Sequence, residues 1–211
     1  MNHRLINIFV SVFVVFILVL GIPSFISISS FIYFSQAQNT HAEYYLDDAD
    51  ELYLNVFEFL VYQRDLSSKF TADETSHMHD VRLLFNFFRV FSVLFFISLL
   101  AYFFYLKKIV SNNVLLTRFF RSLFVGCVIS FVLVLFILLV SFFDFVSSFD
   151  IFHRVFFPQG NWLFPADSLL ITLFPQSFFF SIAKKILFSS LIISSILGVI
   201  SYYFYSFFKR S

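Results

Sequence analysis

Long apolar runs, separated by more polar segments, dominate the pattern of positions along this chain. Four runs extend for about 18 residues or more, the length typical of membrane-spanning helices. They cover residues 5–34, 83–106, 123–143 and 186–208. Because a helix rises about 1.5 Å per residue, roughly 20 apolar residues cross the hydrocarbon core of a bilayer. The pattern therefore predicts an all-α membrane protein, with four transmembrane helices in one domain covering residues 1–211.

Two longer segments, residues 35–82 and 144–185, join these runs. Between Tyr44 and Tyr62, apolar positions recur among acidic ones with a broadly helical spacing. This spacing indicates one or two helices lying on the membrane surface, although a solvated acidic connector also fits it. The second segment is too apolar for a solvated loop and too interrupted by Pro and Gly to span. We therefore interpret it as interfacial or re-entrant segments, with Trp162 suited to anchor at the interface.

The charges predict which side of the membrane each segment faces. Seven cations flank the apolar runs with no acidic residue beside them: Arg4, Lys107, Lys108, Arg118, Arg121, Lys209 and Arg210. All 13 acidic residues lie in the two longer segments, which also hold Lys184 and Lys185. Since short cytoplasmic loops are enriched in Lys and Arg, both termini are predicted to be cytoplasmic and both longer segments to face outward.

Composition supports the membrane interpretation and excludes other classes of protein. The chain has 211 residues, of which 60% are hydrophobic and only 13% charged, and its formal net charge is +1. These values exclude an ordinary soluble domain, a disordered tail and a nucleic-acid-binding protein. Cys127 is the only cysteine, which excludes a disulfide framework or a cysteine zinc site, and we interpret it as a small packing residue.

The first outer segment ends in a polar motif with helical spacing. Thr71 and Glu74 have the spacing of a capping box, which predicts a helix that starts at Ala72 and continues into the second span. On that helix Asp73, His77 and Asp80 share one face. Carboxylates one turn either side of His77 are expected to raise the pKa of its imidazole. An exposed surface histidine is the simpler alternative.

The opposite face of the same helix carries a second polar stripe, formed by His79, Arg82, Asn86 and Arg89. Such a stripe often reflects side chains that reach the interface or hydrogen-bond between helices. Arg89 nevertheless lies within a span, and a charge there is by default a candidate functional residue.

A second histidine stands in the other outer segment. His153 is the one titratable base in the most apolar part of that segment, and Asp150 precedes it by one helical turn. A lone histidine in such a place is usually structural. Two histidines in separate outer segments, each with an aspartate nearby, form a more specific pattern for acid–base chemistry.

Together the two outer segments resemble those of the lipoprotein intramolecular transacylase (Lit) family, small membrane proteins with four spans. The first motif of the family corresponds to Phe70, Thr71, Glu74, His77, Met78, Asp80, Val81 and Arg82. The second corresponds to Phe152, His153, Phe157, Gly160, Trp162, Phe164, Asp167, Phe174, Pro175 and Phe179. The match covers nearly the whole chain.

The resemblance implies an acyl transfer within one substrate molecule. Such enzymes move the sn-2 acyl chain of a diacylglyceryl-cysteine to the α-amine of the same cysteine, giving an N-acyl lyso-form lipoprotein. The resemblance makes His77 and His153 the catalytic candidates. The supporting candidates are Glu74, Asp80, Asp150, Arg82 and Arg89, and those for substrate or interface contact are Phe157, Trp162, Phe164 and Asp167.

These assignments predict a monomeric, multi-pass protein of the cell membrane, acting on diacylated lipoprotein and membrane lipid at the outer face, without metal or cofactor. Aminolysis of an ester needs a base for the amine and an acid for the departing oxygen. We assign His153 as the base and His77 as the acid or carbonyl polariser, a division that the sequence leaves open.

Two other functions fit part of the pattern. A metal-dependent membrane hydrolase would use His77, His79 and His153, but residues two apart share a face on a strand and not on a helix. A non-enzymatic accessory membrane protein would use its histidines only for binding.

Overall fold

The computed structural model describes Ser11, Val14 and residues 46–210, and every regular element in that part of the chain is an α-helix. The helices are α1 Ala49–Tyr62, α2 Ala72–Ile109, α3 Asn112–Phe143, α4 Phe145–Phe156, α5 Leu169–Leu173 and α6 Gln176–Arg210. The predicted first span, residues 5–34, lies outside the described residues except for Ser11 and Val14.

Helices α2, α3 and α6 are long and apolar enough to cross a membrane. As predicted, α2 starts at Ala72 and continues into an apolar stretch that begins at Leu83. The residues before Leu83 thus form a polar end of the helix outside this stretch. By contrast, α6 starts at Gln176, ten residues before the predicted 186. Lys184 and Lys185 interrupt the apolar pattern but not the helix.

The chain forms two compact units, and the first contains residues 88–138 and 187–210 together with Ser11 and Val14. Helical residues approach closely at Gly126, where an added Cβ would lie 2.7 Å from the Val14 Cβ atom. Cys127 is 1% exposed and packs with Val14, as predicted for a small packing residue. Nearby, the Ser11 hydroxyl donates to the Ser122 carbonyl at 3.0 Å.

The second unit contains residues 46–87 and 139–186. Its core joins the apolar face of α1 to the start of α2, to α5 and to the start of α6. The buried members are Ala49, Leu52, Tyr53, Val56, Phe57, Phe59, Phe70, Met78, Leu170, Leu173, Phe174 and Phe178. Residues 49–62 form one helix, and its apolar face packs against the rest of this unit, so its position at the membrane surface stays a prediction.

Candidate active site

Glu74 fixes the beginning of the helix that carries the first histidine. Its carboxylate accepts hydrogen bonds from the backbone N–H and the hydroxyl of Thr71 at 2.8 and 2.9 Å. The Thr71 hydroxyl oxygen in turn accepts from the Glu74 N–H at 3.3 Å, which confirms the predicted capping box. The carboxylate also accepts from the Leu170 N–H at 2.8 Å. Glu74 is 1% exposed and therefore holds the start of α2 against the start of α5.

His77 follows Glu74 by one helical turn and is buried against aromatic rings. Its ring centroid lies 4.9 Å from that of Phe157 and 5.6 Å from that of Phe164, and both contacts are edge-on. The Nδ1 atom of His77 is buried and has no hydrogen-bond partner within the described part of the chain. The imidazole thus lies in an apolar site with one polar atom unsatisfied.

His153 is carried by α4, a helix whose start is capped by Asp144, which accepts from the Ser147 N–H at 3.0 Å. The Nδ1 atom of His153 lies 2.8 Å from the Phe149 carbonyl oxygen. Because a carbonyl oxygen only accepts, Nδ1 must carry the hydrogen, which leaves the Nε2 lone pair available. The ring of Trp162 covers the imidazole at a centroid distance of 4.9 Å.

The fold brings the two predicted histidines together. Their ring centroids are 6.1 Å apart, and the planes are inclined by 30°. Phe157, which is buried, contacts both rings, at 4.9 and 5.6 Å. Two segments that are distant in sequence therefore build one aromatic-lined site with two imidazoles.

Burial controls the protonation of both histidines. Burial, with a smaller contribution from the positive charge of His153, lowers the pKa of His77 to about 4, against the opposing effects of Asp80 and Asn161. Burial also lowers the pKa of His153, although its hydrogen bond to Phe149 acts in the other direction. The expectation that neighbouring carboxylates raise the pKa of His77 is therefore wrong, because the cost of burying the charged ring is larger. Both imidazoles are neutral at pH 7.

Asp80 holds the loop after α4 and does not hydrogen-bond to His77. One of its carboxylate oxygens accepts from the side-chain amides of Gln159 and Asn161, each at 2.7 Å. Neither amide was among the predicted site residues. The only feature of the sequence that could have indicated them is the presence of two amide side chains, on either side of Gly160, within an otherwise apolar segment.

The remaining charged candidates have other partners. Asp150 forms an ion pair with Arg154 at 2.8 Å on the exposed side of α4, rather than a contact with His153. The Arg82 guanidinium lies 4.1 Å over the ring of Phe59 and 2.8 Å from the Nδ1 atom of His79. Arg82 therefore packs on the face of α2 that meets α1, opposite the histidine pair.

Of the other predicted site residues, three aromatic side chains lie at the histidine pair and two charged ones do not. Phe157, Trp162 and Phe164 line the histidine pair, as their ring contacts with His77 and His153 show. Asp167 is exposed in the turn before α5, and Arg89 belongs to the first unit.

The position of His79 argues against the metal-hydrolase alternative. That alternative requires His79 beside the other two histidines. The His79 ring instead packs edge-on against Phe59, at a centroid distance of 5.2 Å. In the described ranges, no group of three or more His, Cys, Asp or Glu side chains is placed to hold a metal ion.

Membrane-length helices and a buried pair of histidines define a helical membrane protein with a candidate acid–base site. The family model of the lipoprotein intramolecular transacylase Lit matches residues 7–179, and the chain belongs to this family.

Solved structures support the fold assignment. The membrane-integral lipoprotein intramolecular transacylase Lit from Bacillus cereus superimposes with a TM-score of 0.82 at 19% identity, covering 99% of this chain and 98% of that chain. A variant of that protein with a histidine changed to alanine gives 0.74, and one with a histidine changed to arginine gives 0.62, both at 19% identity. These two alignments cover 99% of this chain and 96% and 92% of the respective variant. A comparison with curated proteins gives no match.

Proposed function

We propose that this protein moves the sn-2 acyl chain of a lipoprotein's diacylglyceryl-cysteine to the α-amine of that cysteine, producing an N-acyl lyso-form lipoprotein. The buried histidine pair, in a member of the transacylase family, carries the proposal. In this reaction the carbonyl–nitrogen bond forms and the carbonyl–oxygen bond of the ester breaks. One proton passes from the amine to the glyceryl oxygen.

His153 is the proposed general base. Its Nδ1–H is engaged by the Phe149 carbonyl, so its Nε2 atom has the lone pair that can accept a proton from the attacking amine. A depressed pKa keeps that lone pair free at neutral pH. His77, its neighbour, is also neutral in the resting site, because burial lowers its pKa to about 4.

His77 is the proposed proton donor to the departing glyceryl oxygen, or a polariser of the ester carbonyl. The site needs no covalent acyl-enzyme, since amine and ester belong to one substrate and holding them together supplies effective molarity. Phe157, Trp162 and Phe164 exclude water and thereby favour aminolysis over hydrolysis. The distribution of charges supports a site at the outer face of the membrane.

Mass spectrometry of the N-terminal peptide of a reporter lipoprotein tests the proposal. Incubation of the purified protein with diacylated lipopeptide should leave the total mass unchanged while moving one acyl chain to the amine. A hydrolase would instead release fatty acid, and an accessory protein would leave the peptide unaltered.

Variants test the site assignment in the same assay. His77→Gln and His153→Gln should each slow the conversion by about 10²- to 10⁴-fold, the range for loss of an acid–base group. His79→Gln is the matched control, because that ring faces Phe59, and it should retain activity. Full activity in both His77→Gln and His153→Gln would show that the site is elsewhere.

A further inference from the structure

Two buried polar atoms at this site lack partners. They are Nδ1 of His77 and Oδ1 of Asn161, and neither has a hydrogen bond within the described part of the chain. A buried polar atom left unpaired costs about 1–3 kcal/mol, so such atoms usually satisfy one another or serve a function. One atom can donate and the other can only accept, which makes them complementary.

The orientation of the Asn161 side chain is fixed by its neighbours. Its Nδ2 atom donates to the Asp80 carboxylate at 2.7 Å and lies 3.5 Å from the Ser76 hydroxyl. Because a carboxylate only accepts, the amide nitrogen must face Asp80 and cannot exchange places with the oxygen. Ser76 and Asp80 belong to the turn of α2 that carries His77, so Asn161 packs directly over that turn.

We propose that Asp80 and Asn161 act as a positioning pair that fixes the tautomer of His77, with the Asn161 Oδ1 atom as the acceptor that favours a hydrogen on Nδ1 of His77. Asp80 acts through Asn161, and neither touches the reacting atoms. A hydrogen on Nδ1 leaves the lone pair on Nε2 of His77. Asn161 also favours the charged form of the imidazole, in agreement with its effect on the pKa of His77.

The proposal refines the role of His77, and in its catalytic meaning it rests on the proposed function. An imidazole that carries its hydrogen on Nδ1 cannot polarise an ester carbonyl through Nε2 while neutral. His77 can therefore donate to the glyceryl oxygen only a proton that it has first accepted at Nε2. That proton is the one His153 removes from the amine, and Asn161 and Asp80 stabilise the imidazolium that carries it briefly. The titratable groups that face it are His153 from α4 and Asp80 from its own helix.

Exchange of the two side chains tests the pair. Asn161→Asp replaces the amide that donates to Asp80 with a second carboxylate, and the conversion should fall about 10- to 100-fold, as is typical for loss of a supporting hydrogen bond. Combining Asn161→Asp with Asp80→Asn places the donor on position 80 and the acceptor on position 161. The carboxylate at position 161 can then accept from both the new amide and the His77 Nδ1–H. The double variant should recover most of the activity. Its pH profile should also shift upward on the acid side, because a carboxylate beside His77 raises the pKa of the imidazole.

Asp73→Asn is the matched control, because it makes the same change one turn before His77, at an exposed position with no role in the pair. It should leave both the rate and the pH profile unaltered. A double variant no more active than Asn161→Asp alone would overturn the proposal.

The tautomer can also be observed directly, by nitrogen NMR of the intact, histidine-labelled protein, with the signal assigned through His77→Gln. A hydrogen on Nδ1 in the wild type, lost in Asn161→Ala, supports the pair, and a hydrogen on Nε2 overturns it. This measurement needs no substrate, so it stands even if the protein fails to convert the reporter. That failure would count against the proposed function alone.

Discussion

At the scale of single residues, the polar groups of this site are governed by burial. His77 and His153 are 6% and 8% exposed, and both remain neutral although carboxylates lie nearby in sequence. Asp80 and Asp150 are engaged by other partners and do not compensate for the burial. The site therefore has two uncharged imidazoles, which suits transfer of a proton without a permanent charge in an apolar environment.

The pH dependence of the proposed conversion should reflect the lowered pKa values of the two histidines. In each histidine the folded-state pKa lies below the ordinary value of about 6.5, so the neutral form persists as the pH falls through 6.5 and is lost only at lower pH. The substrate amine, with a pKa of about 7.7–8.0, titrates separately. Initial rates divided by the neutral fraction of the amine should thus remain, at pH 6.5, above half of their value at pH 7.5. A loss of half this corrected rate near pH 6.5 would contradict the burial argument.

Glu74 should matter for stability rather than for the chemical step. Glu74→Gln replaces one acceptor oxygen with a donor, so the Thr71 or Leu170 N–H loses its partner in a buried site. We expect a loss of about 1–3 kcal/mol, seen as a lower thermal unfolding midpoint in detergent. Glu58→Gln is the control, because its ion pair with Arg64 is exposed and such pairs contribute about 0–1 kcal/mol. Equal midpoints for the two variants would contradict this role.

At the scale of helices, local signals in the sequence were sufficient where the determinants are local. The spacing of Thr71 and Glu74 predicted the start of α2 because a capping box depends on only four consecutive residues. The predicted span 186–208 lies within α6, but the helix already begins at Gln176, because Lys184 and Lys185 interrupt the apolar pattern without ending the helix. The contact of Asn161 with Asp80 joins positions 81 apart, and no local pattern encodes it.

The close contact at Gly126 gives a prediction for packing between helical residues of the first unit. Gly126→Ala would bring a methyl group within 2.7 Å of the Val14 Cβ atom and 2.9 Å of the Ser11 carbonyl oxygen. Overpacking of this kind costs about 1–3 kcal/mol, so the midpoint of thermal unfolding should fall. Gly198→Ala is a matched control, because its Cβ would be at an ordinary 3.5 Å from Cys127 and alanine favours the helix. A midpoint that falls equally in both variants would refute the steric explanation.

At the scale of the whole molecule, the unequal distribution of charge predicts the orientation in the membrane. Acidic residues are confined to the outer segments, and seven cations flank the spans on the other side. Under the proposed function, this orientation would present the histidine pair to a substrate held at the outer face.

Cysteine labelling in intact cells can measure the orientation. Ala166→Cys, in the exposed turn before α5, should react with a membrane-impermeant maleimide, whereas Lys108→Cys should react only after permeabilisation. The native Cys127 is buried and provides an unreactive background. The reverse pattern of labelling would show that the chain has the opposite orientation in the membrane.

The two faces of α4 have a consequence for the route by which the proposed substrate reaches the site. His153 is buried, whereas Ile151 and Val155, on the opposite face of the same helix, are at least 60% exposed. Such a face is compatible with contact to lipid chains, so a diacylated substrate could reach the site without leaving the bilayer. The rate should then follow the mole fraction of substrate in the membrane rather than its bulk concentration. Added inert phospholipid would slow the reaction by surface dilution, and an equal volume of buffer would not.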